Sequence, residues 1–227
     1  MAEVMIGEYD AVIFDMDGTL IDSREGIETA WGAWCHEKKL NLEIVIQAMH
    51  GSRAVDTIRK FLPRLTEAQY EHEARRIDTF EIRNGANIAE VSGASKFLAS
   101  LPTERWGITT SAGRNTAVYR TQKAGLPVPR VLVAGEDVQF GKPDPAGYRL
   151  AANRLGVDPC RCLVFEDTFV GLQAGHLAGA DIVAVGHEVR DSGHPIKAAI
   201  DNYLGARASQ SNGKICITLS QRLVGRE

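Results

Sequence analysis

The stretch AVIF at 11–14 is short, rich in strand formers and apolar at every position, so it reads as a strand covered on both faces. Such a strand belongs in a parallel sheet. The same rhythm returns later in the chain: RWGITT (105–110), a helix over about 115–124, RVLVA (130–134), a helix over about 144–155, CLVFE (162–166), a helix ending near Gly179, and DIVAV (181–185). Alternating strands and helices predict right-handed βαβ crossovers in an open, doubly wound α/β sheet of Rossmann-like form.

Residues 23–90 interrupt that rhythm and show no convincing strand. Ser23 or Asp22 can cap a first helix carrying Trp31 and Trp34. EIVIQAMHG ends at a glycine of the C-cap type, and SRAVDTIRKFLP is stopped by Pro63. TEAQ at 66–69 is a capping box that opens a long charged helix closing at Gly85. The chain is therefore expected to have a core of residues 1–22 and 91–227, with a helical domain spliced in at 23–90. ARASQSNGK (206–214) is the most linker-like stretch.

Composition narrows the function classes. Among 227 residues the formal net charge is −3, and the basic residues are scattered. Neither nucleic acid nor an anionic membrane is expected as a partner. No run approaches the roughly 18 apolar residues of a spanning helix, and MAEVMIGEYD has no signal-type apolar centre, so a cytoplasmic location is expected. The four cysteines lack C-x-x-C spacing and read as small hydrophobes of a reducing compartment. The six histidines show no metal-ligand pairing.

Each predicted strand ends in polar chemistry: Asp15 and Asp17 after AVIF, Thr110 and Ser111 after GI, Glu166 and Asp167 after LVF. Ligands of open α/β sheets bind beyond the carboxyl ends of the strands. Carboxylates gathered there repel one another unless a cation sits among them. Oxygen donors without histidine or thiolate favour Mg2+ over zinc, and Mg2+ commonly accompanies phosphate. A strand-end hydroxyl, backbone N–H groups at SAGRN and the ammonium of Lys142 in GKPDP would complete a phosphate site. Taken singly, these residues also have bland readings: an Asp after a strand is usually a turn former or helix cap, and Lys142 could be a solvated loop lysine. Together they are harder to dismiss.

DMDGT at 15–19, the strand-end Ser111, GKPDP with Lys142, and FEDTFVGLQAG with Glu166 and Asp167 resemble the four ordered motifs of the haloacid dehalogenase superfamily. The helical insertion after the first motif resembles that superfamily's C1-type cap. The resemblance implies a phosphoric monoester hydrolase with an aspartyl-phosphate intermediate. Asp15 would be the nucleophile and Asp17 the acid and then the base. Asp15, Asp167 and the Asp17 carbonyl would hold the metal. Glu166 would be either a further ligand, through water, or a brace. Ser111 with the Ala112 amide, or Thr110 if the strand ends one residue earlier, would bind phosphate oxygens together with Lys142. Thr168 reads as a helix cap, and Gly171 and Gly175 as close-packing positions.

Within the superfamily, Asp17 argues against dehalogenation. Lys38, Lys39 and Lys60 lack the context of a Schiff-base lysine, and Ile27 stands where the β-phosphoglucomutase branch uses a histidine. HGSRAVDTIRKFLP (50–63), ERWGITTSAGR (104–114) and the FGKPDPAGY region resemble the glycerol-3-phosphatase and 2-deoxyglucose-6-phosphatase branch, and the late NGKICITL is similar to a strand there. The expected substrate is a small sugar or polyol phosphate, with Arg53 and then His50 as its contacts from the cap. For Arg53 the competing reading is a helix-start arginine paired to Asp56. A mutase and a catalytically idle metabolite-binding protein are the alternatives. The expected state is a monomer or weak homodimer, with hinges near 21–23 and 91–92.

Overall fold

The computed structural model describes residues 2–84, 87–186, 189, 193 and 195–221. Strand β1 (Ala2–Tyr9) turns at Asp10 into β2 (Ala11–Phe14), and a two-residue strand β3 (Ile21–Asp22) leads out of the core. Four helices follow: α1 (Arg24–Lys38), α2 (Leu42–Met49), α3 (Ala54–Phe61) and α4 (Glu67–Asn84). The expected closing residue of the last, Gly85, lies outside the described residues. The chain returns through β4 (Ala89–Glu90), α5 (Ala94–Ala99), β5 (Trp106–Thr109), α6 (Arg114–Lys123) and β6 (Val131–Val133). It continues with α7 (Ala146–Arg154), β7 (Cys162–Glu166), α8 (Phe169–Ala178), β8 (Asp181–Val185) and β9 (Ala198–Ile200). A hairpin of β10 (Ala206–Ser211) and β11 (Lys214–Gln221) completes it.

The central sheet has the order β6-β5-β2-β7-β8-β9 with every neighbouring pair parallel, the doubly wound arrangement expected. AVIF sits in the middle, and its side chains divide between two cores. Val12 and Phe14 pack with Phe97, Phe165, Ile215 and Ile217; Ala11 and Ile13 pack with Val164, Tyr148 and Ala174. Burial on both faces is why the strand carries no polar alternation. Phe14 and Phe165 stack across the β2–β7 pairing, with ring centroids 5.0 Å apart.

The first of these cores is covered in part by a second sheet of order β1-β11-β10, antiparallel throughout, which corrects the linker-like reading of 206–214. The acidic N-terminus is a strand, and the linker-like stretch at 206–214 is one arm of a hairpin. Its two-residue turn is Asn212-Gly213, both at positive φ (49° and 74°), which is the conformation a tight hairpin demands and that Asn-Gly tolerates best.

Helices α1 to α4 enclose their own apolar cluster, with Trp31, Trp34, Val45, Ile58 and Tyr70 at its centre. The Thr66–Gln69 capping box forms: Gln69 Oε1 accepts from the Thr66 N–H at 2.8 Å, and Thr66 Oγ accepts from the Gln69 N–H at 3.4 Å. Helix α2 stops at Met49, two residues before Gly51. The two chain crossings between this helical lobe and the core run side by side, because β3 and β4 pair antiparallel, Ile21 with Glu90 and Asp22 with Ala89. Among the described residues, no helix is long and apolar enough to cross a membrane.

Candidate active site

Asp15 is the first residue beyond the sheet edge: its N–H still donates to Phe165 O at 2.9 Å, while its side chain stands past the end of β2. The chain then turns sharply at Gly18, where φ is +85°. A Cβ on Gly18 would lie 2.0 Å from Asp167 Oδ2, so both the backbone conformation and the neighbouring carboxylate require glycine. Thr19 Oγ donates to Asp167 Oδ1 at 2.8 Å and fixes that side chain beside Asp15.

From β7 come Glu166 and Asp167. Glu166 is fully buried and surrounded by donors. Its Oε1 accepts from Lys142 Nζ at 2.5 Å and Tyr148 Oη at 2.8 Å. Its Oε2 accepts from the Asp167 and Thr168 N–H groups at 2.9 and 3.0 Å and from Thr168 Oγ at 3.1 Å. Thr168 Oγ also accepts from the Gly171 N–H at 3.2 Å, capping α8 as expected. Lys142, on the loop before α7, bonds Asp15 Oδ1 as well as Glu166, and its Nζ lies 5.3 Å from the centroid of the Tyr148 ring.

One oxygen each of Asp15, Glu166 and Asp167 lie within 4.8 Å of one another. Burial pushes the Asp15 carboxyl well above its ordinary value, with Lys142 opposing and the charges of Glu166 and Asp167 reinforcing. Burial and then Glu166 push Asp167 up to about 8. For Lys142, burial works downward, but Asp15 and Glu166 outweigh it and raise the ammonium's pKa. A single ammonium against three close carboxylates leaves negative charge uncompensated in a site made of oxygen donors. The residues present therefore fit a hard divalent cation.

Asp17 sits at the mouth of this cluster. Ser23 Oγ donates to its Oδ1 at 2.5 Å, and Arg120 Nη1 donates to its Oδ2 at 2.7 Å. Arg120 reaches across from α6, and its other edge is spent on Glu81 of α4, Nε to Oε1 at 2.6 Å and Nη2 to Oε2 at 2.5 Å. Ser23 precedes α1 as expected of an N-cap, but its side chain makes no cap bond because it serves Asp17.

The remaining sequence candidates are more dispersed. Ser111 Oγ donates to Gly51 O of the helical lobe at 2.7 Å, and the Ala112 N–H donates to Thr110 Oγ at 3.1 Å. The first amide of α6, Arg114 N–H, is taken by Glu136 at 3.0 Å, so that part of the expected SAGRN anion site is already occupied. Arg53 makes the anticipated bidentate pair with Asp56 (2.6 and 2.9 Å) and adds Nη1 contacts to Val138 O and Gly135 O at 2.9 and 3.4 Å, joining lobe to core. Arg53, Thr110, Ser111, Lys142 and Tyr148 line one narrow crevice. His50 is exposed. Lys38 is engaged with Glu73 at 3.0 Å within the lobe.

Tyr148, Thr19, Arg120 and Glu81 are members of the site that sequence reasoning missed. Thr19 and Tyr148 stand close to DMDG and GKPDP in the chain and could have been found there. Arg120 and Glu81 carry no local signal, because their partners lie 103 and 39 residues away.

Comparison with known proteins agrees with this geometry. Hexitol phosphatase A of Escherichia coli is 37% identical over 175 residues, spanning 76% of this chain and 81% of that protein. Glycerol-1-phosphate phosphohydrolase 2 of Saccharomyces cerevisiae is 34% identical over 189 residues, spanning 78% and 75%. The crystal structure of a hydrolase from Pseudomonas syringae superposes with a TM-score of 0.75 at 25% identity, covering 86% of this chain and 94% of that one. Residues 9–179 match the haloacid dehalogenase-like hydrolases, and the chain belongs to that family.

Proposed function

We propose that the protein is a magnesium-dependent phosphatase that hydrolyses small sugar or polyol phosphate monoesters through a phosphorylated Asp15. The observation that carries this reading is the buried convergence of Asp15, Lys142, Glu166 and Asp167 at the carboxyl edge of the sheet. The names of the two relatives given above, a hexitol phosphatase and a glycerol-1-phosphate phosphohydrolase, support the substrate class.

In the first step a carboxylate oxygen of Asp15 bonds to phosphorus as the bond from phosphorus to the ester oxygen breaks, and Asp17 gives its proton to the departing alkoxide. Water then attacks phosphorus, Asp17 takes the water's proton, and the bond to Asp15 breaks to release phosphate. Lys142 stays beside Asp15 throughout and lowers the repulsion between its carboxylate and the phosphate dianion. Asp15, Asp167 and the Asp17 carbonyl would hold the magnesium ion, whose charge would offset that of the phosphoryl oxygens. The five donors on Glu166 support its role as the brace of Lys142, with any metal contact made through water.

For the phosphate hydroxyl we choose Thr110. Its oxygen accepts from the Ala112 N–H, which leaves its own proton to donate, whereas the proton of Ser111 is spent on Gly51. The lobe at 23–90 acts as the cap, with Ser111 and Arg53 as contacts that seat it. Arg53 is then a latch before it is a substrate contact. The paired crossings β3 and β4 are the hinge.

The test is release of inorganic phosphate from glycerol phosphates, hexitol and hexose phosphates, 2-deoxyglucose-6-phosphate, phosphoglycolate and β-glucose-1-phosphate, with magnesium or EDTA. Magnesium-dependent release with polyol or sugar esters preferred is expected. No release from any ester, or isomerisation of β-glucose-1-phosphate in its place, would overturn the reading.

A further inference from the structure

The buried arginine on α6 has no part in the mechanism above, yet it touches the residue that moves the proton. Arg120 is 6% exposed and Glu81 4%. Both oxygens of Glu81 accept from one edge of the guanidinium, which turns the remaining Nη1 onto Asp17 Oδ2. A fork with rigid, coplanar donors can hold two carboxylates at fixed angles; an ammonium in its place would lose one of them. The second oxygen of Asp17 is held by Ser23, at the outgoing crossing between core and lobe. Glu81 lies near the end of α4, shortly before the returning crossing. Both restraints on Asp17 thus depend on the lobe being seated against the core.

An ion pair this deeply buried is a poor way to gain stability, since desolvation offsets most of the attraction between the charges. A positional role accounts for it better. We propose that Arg120 is a positioning residue: anchored by Glu81 of the lobe, it sets the aim of the Asp17 carboxylate, so that proton transfer to the leaving group is available when the lobe is seated. The inference rests on the assignment of Asp17 as acid and base.

The test exploits leaving groups. An alkoxide must be protonated as it departs, whereas p-nitrophenolate leaves unaided, and kcat/KM reports on the steps through that departure. Asp17→Asn serves as the reference pattern. Arg120→Lys is expected to lower kcat/KM for glycerol phosphate about 100-fold while that for p-nitrophenyl phosphate stays within about threefold, with the alkyl loss mainly in kcat. Glu81→Gln, nearly isosteric and a safeguard should the lysine variant fold poorly, is expected to show the same selectivity at about tenfold. Equal losses on both esters would mark Arg120 as merely structural, and no loss on either would mark it as idle; each overturns the proposal. A wild-type enzyme that hydrolyses neither ester would instead overturn the phosphatase reading on which it rests.

Discussion

Glycine is what lets the acidic cluster close up. At 171 a Cβ would lie 1.8 Å from Glu166 Oε1, inside the space the carboxylate occupies, so Gly171→Ala must displace the side chain that holds Lys142. We expect a loss of kcat of about tenfold or more and a destabilisation of about 1–3 kcal/mol, read from initial rates and urea unfolding. Wild-type behaviour in both would show that Glu166 does not brace the lysine. Tyr148→Phe keeps the ring under Lys142 and removes only the donor to Glu166. The expected stability loss is about 1 kcal/mol with a severalfold fall in kcat, and an unchanged kcat would dispense with the hydroxyl. At this scale the sequence was most legible where function is concentrated in short motifs. Asp15, Asp17, Lys142, Glu166 and Asp167 announce themselves because each ends or follows a strand or lies in a proline-bounded loop. Arg120 and Glu81 do not, because a buried ion pair between two helices looks in sequence like two surface charges on separate helix faces.

Among the elements, the parallel strands were readable because burial on both faces removes every polar position, and AVIF, CLVFE and DIVAV were located to within a residue. Strands β1 and β10 escaped notice because they face water on one side and carry glutamates, serines and an arginine. The Asn-Gly turn between β10 and β11 was the signal that could have located that hairpin. The contact of α4 with α6 carries a further consequence. Asp78, one turn before Glu81, is pushed up to about 6 chiefly by burial, with Glu81 and Glu136 adding to the shift and Arg120 opposing it. An acid whose folded-state pKa exceeds its unfolded value binds more protons when folded, so stability falls as pH rises from about 4 to 6 and stays lower above that. Asp78→Asn removes this cost: urea unfolding should find the variant more stable than wild type by up to ~3 kcal/mol at neutral pH and equal to it below about pH 4. A variant less stable at neutral pH would mean that the charged form is favoured there.

For the whole molecule, two arginines join the lobe to the core, one contributed by each. Arg53 reaches from the lobe to the carbonyls of Gly135 and Val138, and Arg120 reaches from the core to Glu81. On the function proposed above, substrate reaches the acidic cluster as the lobe swings on the β3–β4 ribbon. Crystal structures with and without a phosphate mimic should differ in lobe orientation, with Ile21–Ser23 and Val91–Ser92 absorbing the rotation. One fixed orientation with a sealed entrance in both would remove the hinge from the account.

Transfer of the phosphoryl group to Asp15 can be observed directly. Enzyme mixed with glycerol phosphate and magnesium, quenched in acid within the first turnover and digested, should yield a peptide spanning residues 11–24 that carries one phosphoryl group on Asp15, absent from Asp15→Ala. If phosphate is released in solution while that peptide stays unmodified at every quench time, water attacks the ester without an enzyme-bound intermediate, and Asp15 is not the nucleophile.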